Sequence, residues 1–462
     1  MENNWRKIIK FSLPATFIGL AELLLIGISL FWSYIYIGKP EALAAIRLSG
    51  AIITLIEAVT VSIISSLLVY VSQLVGAKKL EEAKKGAGSV LSFSFYAGLC
   101  TTLVGLLLMP VFKLLFGVTI ETKNYLSFYL SVFLIGYFII SVNSLLLLLP
   151  RYFQKLKIIY WGLTILVLVN IAVTPFLIAL CKRFELNLII GPAIGVIVSN
   201  FICAIFLLNK IFIKDELGIG LTKKMISLKF KFYILKDNKG YILSQVLTGV
   251  TFNISMFLYI LILSYYPKNI FNVYSISIYI FMMLGIFPQN FSATIIPLAA
   301  QYMGAGKVKE VIDLAKKMLL VLLIYGGIAA CVLLISKDLV LNAMSINNNL
   351  KPLVKEFLNF YTIPWVFNML AFIFIFVVAA AGDTKGGLFL TIINMYVLVI
   401  SSLLLVPHLF RDINTGVFFT LGLIELLTFM TSCIYFLGGK WKSKSLIQHT
   451  QEQSKQKQTE QA

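Results

Sequence analysis

Charge is sparse in this chain. Charged side chains make up 13% of its 462 residues, and only 20 of those are acidic. An ordinary soluble domain carries about 25%, so a soluble enzyme and a nucleic-acid-binding domain are both excluded. Two histidines, His408 and His449, are too few to build a histidine-based metal site. The five cysteines (Cys100, Cys181, Cys203, Cys331, Cys433) fall within or beside apolar runs and show no CxxC spacing. That excludes a disulfide framework and a paired redox motif. The opening MENNWRKIIKFSLPAT runs into an apolar stretch without an A-x-A cleavage signal, so it is expected to stay as a first helix. What is abundant is apolar residue: 59% of the chain. At about 20 residues per bilayer-spanning helix, that allows at most about thirteen spans. Loops and tails reduce the expected number to about twelve.

Apolar runs long enough to span occur at 10–37, 42–73, 89–117, 124–149, 157–181, 188–209, 241–266, 271–300, 314–336, 356–381, 386–410 and 414–438. Twelve spans put both termini on one side. With the termini in the cytoplasm, 28 of the 39 Lys and Arg residues lie inside, ten lie outside, and only Arg47 falls within a span. This asymmetry decides the orientation and accounts for the net charge of +19 without an anionic partner. A multi-pass inner (cell) membrane protein is expected, with the lipid bilayer as its surroundings, no nucleic-acid partner and a monomeric state. The expected organisation is a first lobe over 1–209, a basic cytoplasmic connection over 210–240, a second lobe over 241–438 and a polar tail over 439–462.

The halves resemble each other. Gln73-Leu-Val-Gly76-Ala77-Lys78 recurs as Gln301-Tyr-Met-Gly304-Ala305-Gly-Lys307, an offset of 228 in the numbering. Phe128-Tyr129 recurs as Phe360-Tyr361, an offset of 232. With six spans per half, the two repeats share one orientation, as in transporters whose halves are related by an axis along the membrane normal.

These residues carry a family resemblance. Pro14 in the first span, Glu41-Ala-Leu-Ala-Ala45, the Gln73 to Lys78 element, Asn170, Gly191-Pro-Ala-Ile-Gly195, Gln301 to Lys307 and Gly382-Asp383-Thr384-Lys385 together resemble the MATE (multidrug and toxic compound extrusion) transporters. The resemblance runs from about residue 8 to 438. It implies an all-α fold of two six-helix lobes, no cofactor, a hinge at Pro14, and export of amphipathic, often cationic small organic compounds against entry of H+ or Na+. The sequence also departs from that family. An Asp common in its first span falls on Ser29 here, and one in the fifth falls on Thr174, four residues after Asn170. Acidic residues of the seventh and tenth spans have no counterparts either: the seventh offers Gln245, Thr248 and Asn253, and the tenth Asn368.

Three carboxylates lie well inside apolar runs: Glu22, Glu57 and Glu425. Burying a charge at the bilayer centre costs about 2.5–3.5 kcal/mol on an insertion scale, so each is a functional candidate. With a helical rise of about 1.5 Å per residue, Glu22 and Glu57 fall at similar depth on consecutive helices. As neighbours they could share a proton and replace the carboxylates missing at Ser29 and Thr174. Either could instead be a protonated group bonded to an adjacent helix. Glu425 sits on the last span, often a peripheral one, and stays outside the candidate set. Asn143, Asn170 and Thr174 are expected inside the first lobe, as cation ligands or as helix-bonding groups. The coupling set is therefore Glu22, Ser29, Glu57, Asn143, Asn170, Thr174 and Asn368, with the proton ahead of sodium and any metal ligation open. The expected function is ion-driven export by alternating access of two lobes. A flippase for a lipid-linked glycan is the alternative; its anionic cargo calls for more intramembrane cations than Arg47. A membrane enzyme needs convergent catalytic groups at one depth, and none is visible in the sequence.

Overall fold

Apolar runs in a bilayer must satisfy every backbone N–H and C=O internally, which leaves the helix as the local solution. In the computed structural model the described residues are 24–25, 27–115, 119–218, 220–221, 239–344, 346 and 348–446. Every regular element among them is helical. They are α1 (27–36), α2 (Pro40–Gly76), α3 (Leu80–Leu115), α4 (Ile120–Ile135), α5 (Tyr137–Tyr152), α6 (Leu156–Arg183) and α7 (Ile190–Leu208), followed by α8 (Lys239–Ser264), α9 (Lys268–Ala293), α10 (Ile295–Gly304), α11 (Val308–Ala343), α12 (Lys351–Ala381), α13 (Thr384–Ile392) and α14 (Ile413–Gly438). Among the described residues, ten helical stretches are long and apolar enough to cross a membrane, and the bent pair α4–α5 makes an eleventh. The expected first span reaches the described residues only through its C-terminal part. Pro14 and Glu22 lie outside the described residues.

Helix ends follow from local chemistry. Pro40 opens α2 in the first turn, where its missing N–H costs nothing. The Asp412 carboxylate caps α14 by accepting from the Thr415 N–H at 2.9 Å, and Asp383 caps α13 through the Gly386 N–H. Bonds from the Thr415 backbone and hydroxyl hold the Asp412 carboxyl below its usual range. Gly382 (φ +89°) and Gly439 (φ +69°) end α12 and α14 in the left-handed region that a side chain strains.

The chain divides into two compact units. One is Phe17–Ile242, and the other is built mainly from Leu243 onward. In the first, Ala42, Ala45 and Ile46 of α2 pack with Leu126, Leu130 and Phe133 of α4 and Ala193 of α7. In the second, α12 is central: Phe357, Tyr361, Trp365 and Met369 pack with Phe281 of α9 and with Phe418 and Leu421 of α14. Leu107, Met283, Ile335 and Leu339 stay exposed, as lipid-facing side chains do.

The internal repeat extends to element boundaries. The stretch from α9 through α10 starts and ends at an offset of 228 from α2, and α11 starts and ends at the same offset from α3. Breaks distinguish the halves. The span α4–α5 bends by 58° at Gly136, whereas its counterpart α12 runs on through Pro364. The eighth span breaks at Thr294, whereas α2 is continuous. After Ile392, α13 continues as a π-helix over Ile393–Ile400 before ending at Leu409, a local widening common at functional positions.

Candidate functional site

In the first unit, small residues bring α6 and α7 into close antiparallel contact. Asn170 donates its amide to the Ser199 hydroxyl at 3.2 Å. One turn on, a Cβ at Gly195 would press into the Thr174 hydroxyl. One turn further, a Cβ at Gly191 would lie 2.8 Å from the Ile178 Cα. The three pairs advance in steps of four on both helices and form a single seam. Alongside it, Asn143 of α5 donates to Asn200 Oδ1 at 2.8 Å, and Asn200 donates to the Val196 carbonyl at 2.8 Å. Asn143, Asn170 and Thr174 are fully buried, and among the described residues Asn143 Oδ1, Asn170 Oδ1 and Thr174 Oγ1 accept or donate no hydrogen bond. Each is an oxygen able to ligate a hard cation, and each residue also holds helices together.

A second polar tract of the same unit surrounds the bend. Ser29 is buried and donates to the Leu25 carbonyl at 3.4 Å, near the Tyr129 hydroxyl. Glu57, in the middle of α2, is partly buried and lies within electrostatic reach of the Tyr137 hydroxyl, with Thr60 one turn along the same helix. Thr60 in turn meets Thr101 of α3 at 2.6 Å, and Thr102 donates to the Leu134 carbonyl at 2.7 Å, where the bend disturbs the backbone ladder. Glu57 therefore stands at one end of a row of hydroxyls.

The second unit holds a site that the sequence reading left outside its candidate set. Asn368 of α12 donates to Glu425 Oε2 of α14, and the Tyr361 hydroxyl donates to Glu425 Oε1. Tyr259 of α8 and Tyr274 of α9 pack edge to face beside this carboxylate, with ring centres 5.6 Å apart. Phe281 and Phe357 pack against Tyr361 with ring centres 4.9 and 5.1 Å away. One sequence feature accompanies Glu425: it lies 57 residues after Asn368, as Asn200 does after Asn143, a shift of 225 that differs from the 228 and 232 of the recurrences above. Each half thus has an asparagine bond from its fourth span to its sixth, amide to amide in the first and amide to carboxylate in the second, where Tyr361 adds a further bond to the same carboxylate. The fifth and sixth spans are joined by Asn170–Ser199 in one half and by Asn394–Ser432, at 3.5 Å, in the other.

Among the described residues no group of three or more His, Cys, Asp or Glu side chains is arranged to hold a metal ion. The arrangement offers single carboxylates, Glu57 beside hydroxyls and Glu425 bonded to a hydroxyl and an amide. Such groups bind and release single protons or small cations; they do not assemble the nucleophile, base and electrophile that bond-breaking chemistry needs.

A family model described as MatE matches residues 14–176 and 245–404, which together span more than half of the chain. No curated protein matches the sequence. Solved structures do match in fold. A MATE protein crystallised in a bent conformation aligns with a TM-score of 0.84 at 18% identity, covering 97% of both chains. The Vibrio cholerae MATE transporter VcmN, in its bent form, aligns at 0.82 and 14% identity over 94% of this chain and 96% of its own. A MOP superfamily transporter from Pyrococcus furiosus, described as having a binding pocket of reversed polarity, aligns at 0.80 and 18% identity over 93% of this chain and 94% of its own.

Proposed function

Since the chain belongs to the MatE family of membrane transporters, we propose that it exports amphipathic, often cationic organic compounds across the cell membrane in exchange for protons. Members of the family are secondary transporters and not enzymes. Transport proceeds by alternating access of the two lobes, each a six-span half of the repeat, with the termini in the cytoplasm and the protein acting as a monomer.

The observation that carries the coupling assignment is Glu57. It is a carboxylate midway along a 37-residue helix, beside a row of hydroxyls from Tyr137, Thr60 and Thr101. An ionised group at that depth is costly, so its charge is set by binding a proton or by a partner. A hydroxyl can either accept or donate, so the row suits a group that changes protonation. At Ser29 and Thr174, by contrast, the buried groups are neutral hydroxyls.

Ethidium efflux from proteoliposomes, under proton and sodium gradients imposed separately, tests this reading. An inwardly directed proton gradient is expected to drive efflux, and Glu57→Gln to slow it at least tenfold with the protein still folded. Efflux under a sodium gradient alone moves the coupling ion to sodium. No efflux of any cationic dye under either gradient moves the function to lipid-linked glycan flipping.

A further inference from the structure

The coupling tract of the first half leaves unused the carboxylate of the second. Glu425 lies near the midpoint of α14. In the first half the bond between fourth and sixth spans is made by Asn200, a neutral amide, so packing alone requires no charge at this position. The groups facing Glu425 are Tyr361 and Asn368 of α12, Tyr259 of α8 and Tyr274 of α9. None of them is a cation. The charged groups on and around α14 sit towards its ends. Glu356 accepts from the Thr415 hydroxyl, and Asp383 from the Tyr435 hydroxyl at 2.7 Å. Each of those contacts is ten residues along the helix from Glu425, about 15 Å. On the stretch through α13, Tyr396 bonds to the Thr251 carbonyl and His408 stacks on Tyr266. Glu425 and Asn368 are both half-buried.

We propose that Glu425 is a proton-binding site of the second half, distinct from the Glu57 tract. Ionised, Glu425 accepts from Asn368 and Tyr361. On protonation, a hydronium ion gives its proton to one carboxylate oxygen and leaves as water. The resulting acid donates to Asn368, whose amide turns to present its oxygen. The proton thus reverses the direction of the bond between α12 and α14 without breaking it. A hard cation is less well served here. The groups bonded to the carboxylate are the Tyr361 hydroxyl and the Asn368 amide, fewer oxygens than the six or so such an ion takes. A place for this site in a transport cycle rests on the proton-coupled reading above, but proton binding itself does not.

The test is pH-difference infrared spectroscopy of the full chain in lipid, as wild type, Glu425→Gln, Tyr361→Phe and Glu57→Gln, each checked for an intact melting transition. Acidification is expected to raise a carboxylic-acid carbonyl band that vanishes in Glu425→Gln, shifts in Tyr361→Phe and persists in Glu57→Gln. If Glu425→Gln does not fold, the Tyr361→Phe shift reports on the same group. A difference spectrum identical in wild type, Glu425→Gln and Tyr361→Phe overturns the proposal. So does a band suppressed at fixed pH by sodium chloride but not by choline chloride, which makes the site one for a metal cation. Ethidium efflux on the same wild-type liposomes separates the two readings. Its absence sinks the exporter and leaves the band, whereas loss of the band with efflux intact sinks only this site.

Discussion

At the scale of single residues, the seam between α6 and α7 shows why Asn170 and Thr174 were legible as buried polar groups but not as partners. Apolar surroundings on the sequence place both inside the fold; what they meet depends on helix rotation, which spacing does not encode. The structure pairs them with Ser199 and Gly195. A side chain added at Gly195 collides with the Thr174 hydroxyl, the end of a side chain, whereas one added at Gly191 collides with the Ile178 backbone, 2.8 Å from its Cα and its N. Overpacking of this kind costs about 1–3 kcal/mol. Gly195→Ala is therefore expected to lower the melting temperature in detergent, and Thr174→Ala to restore part of the loss. Gly191→Ala is expected to lower it too, with no recovery from Ile178→Ala. Equal rescue in both pairs would mean that the seam is not in backbone contact at Gly191.

At the scale of elements, periodicity and charge placed the spans, because a lipid environment demands an apolar run wherever a helix crosses. The breaks were not legible. Gly136 reads as one more glycine in an apolar run, and its role appears only when α7 is in place: a Cβ there would collide with Ile197. Close approach of α7 and the 58° bend are thus properties of the same position. The bend leaves the Leu134 carbonyl to the Thr102 hydroxyl, at 2.7 Å. Removing one partner of a buried bond costs about 1–3 kcal/mol. Thr102→Val keeps the shape and loses the donor, so it is expected to lower the melting temperature and to speed amide exchange around Leu134. Unchanged exchange there would show that the bend is held by packing alone. At the other end of the chain, Trp441 is fully buried, stacks on Phe436 at 5.2 Å and donates to its carbonyl. It secures the turn at Gly439, which composition alone had assigned to a polar tail.

At the scale of the whole molecule, the repeat was readable from two short recurrences, and the offset of 228 reappears at the ends of α2 and α3 and of their counterparts. Its chemical asymmetry was not readable, because Asn200 and Glu425 become equivalent only once each is seen bonded to the corresponding asparagine of its own half. The proposed parallel repeat, with an even number of spans in each half, would put both termini on the same side of the membrane. The distribution of Lys and Arg then selects the side: 28 of 39 fall in the connections that share the termini's side, and basic connections are retained in the cytoplasm. Arg411 lies in the opposite set and Lys444 in the basic one. In a variant with the five native cysteines replaced, a cysteine at position 444 is expected to be shielded in intact cells from a membrane-impermeant maleimide, and one at position 411 to react. Permeabilised cells should label both. Labelling of 444 but not 411 in intact cells would invert the topology, and with it the direction in which a proton gradient drives cargo. The assay therefore fixes the sign of every transport measurement described above.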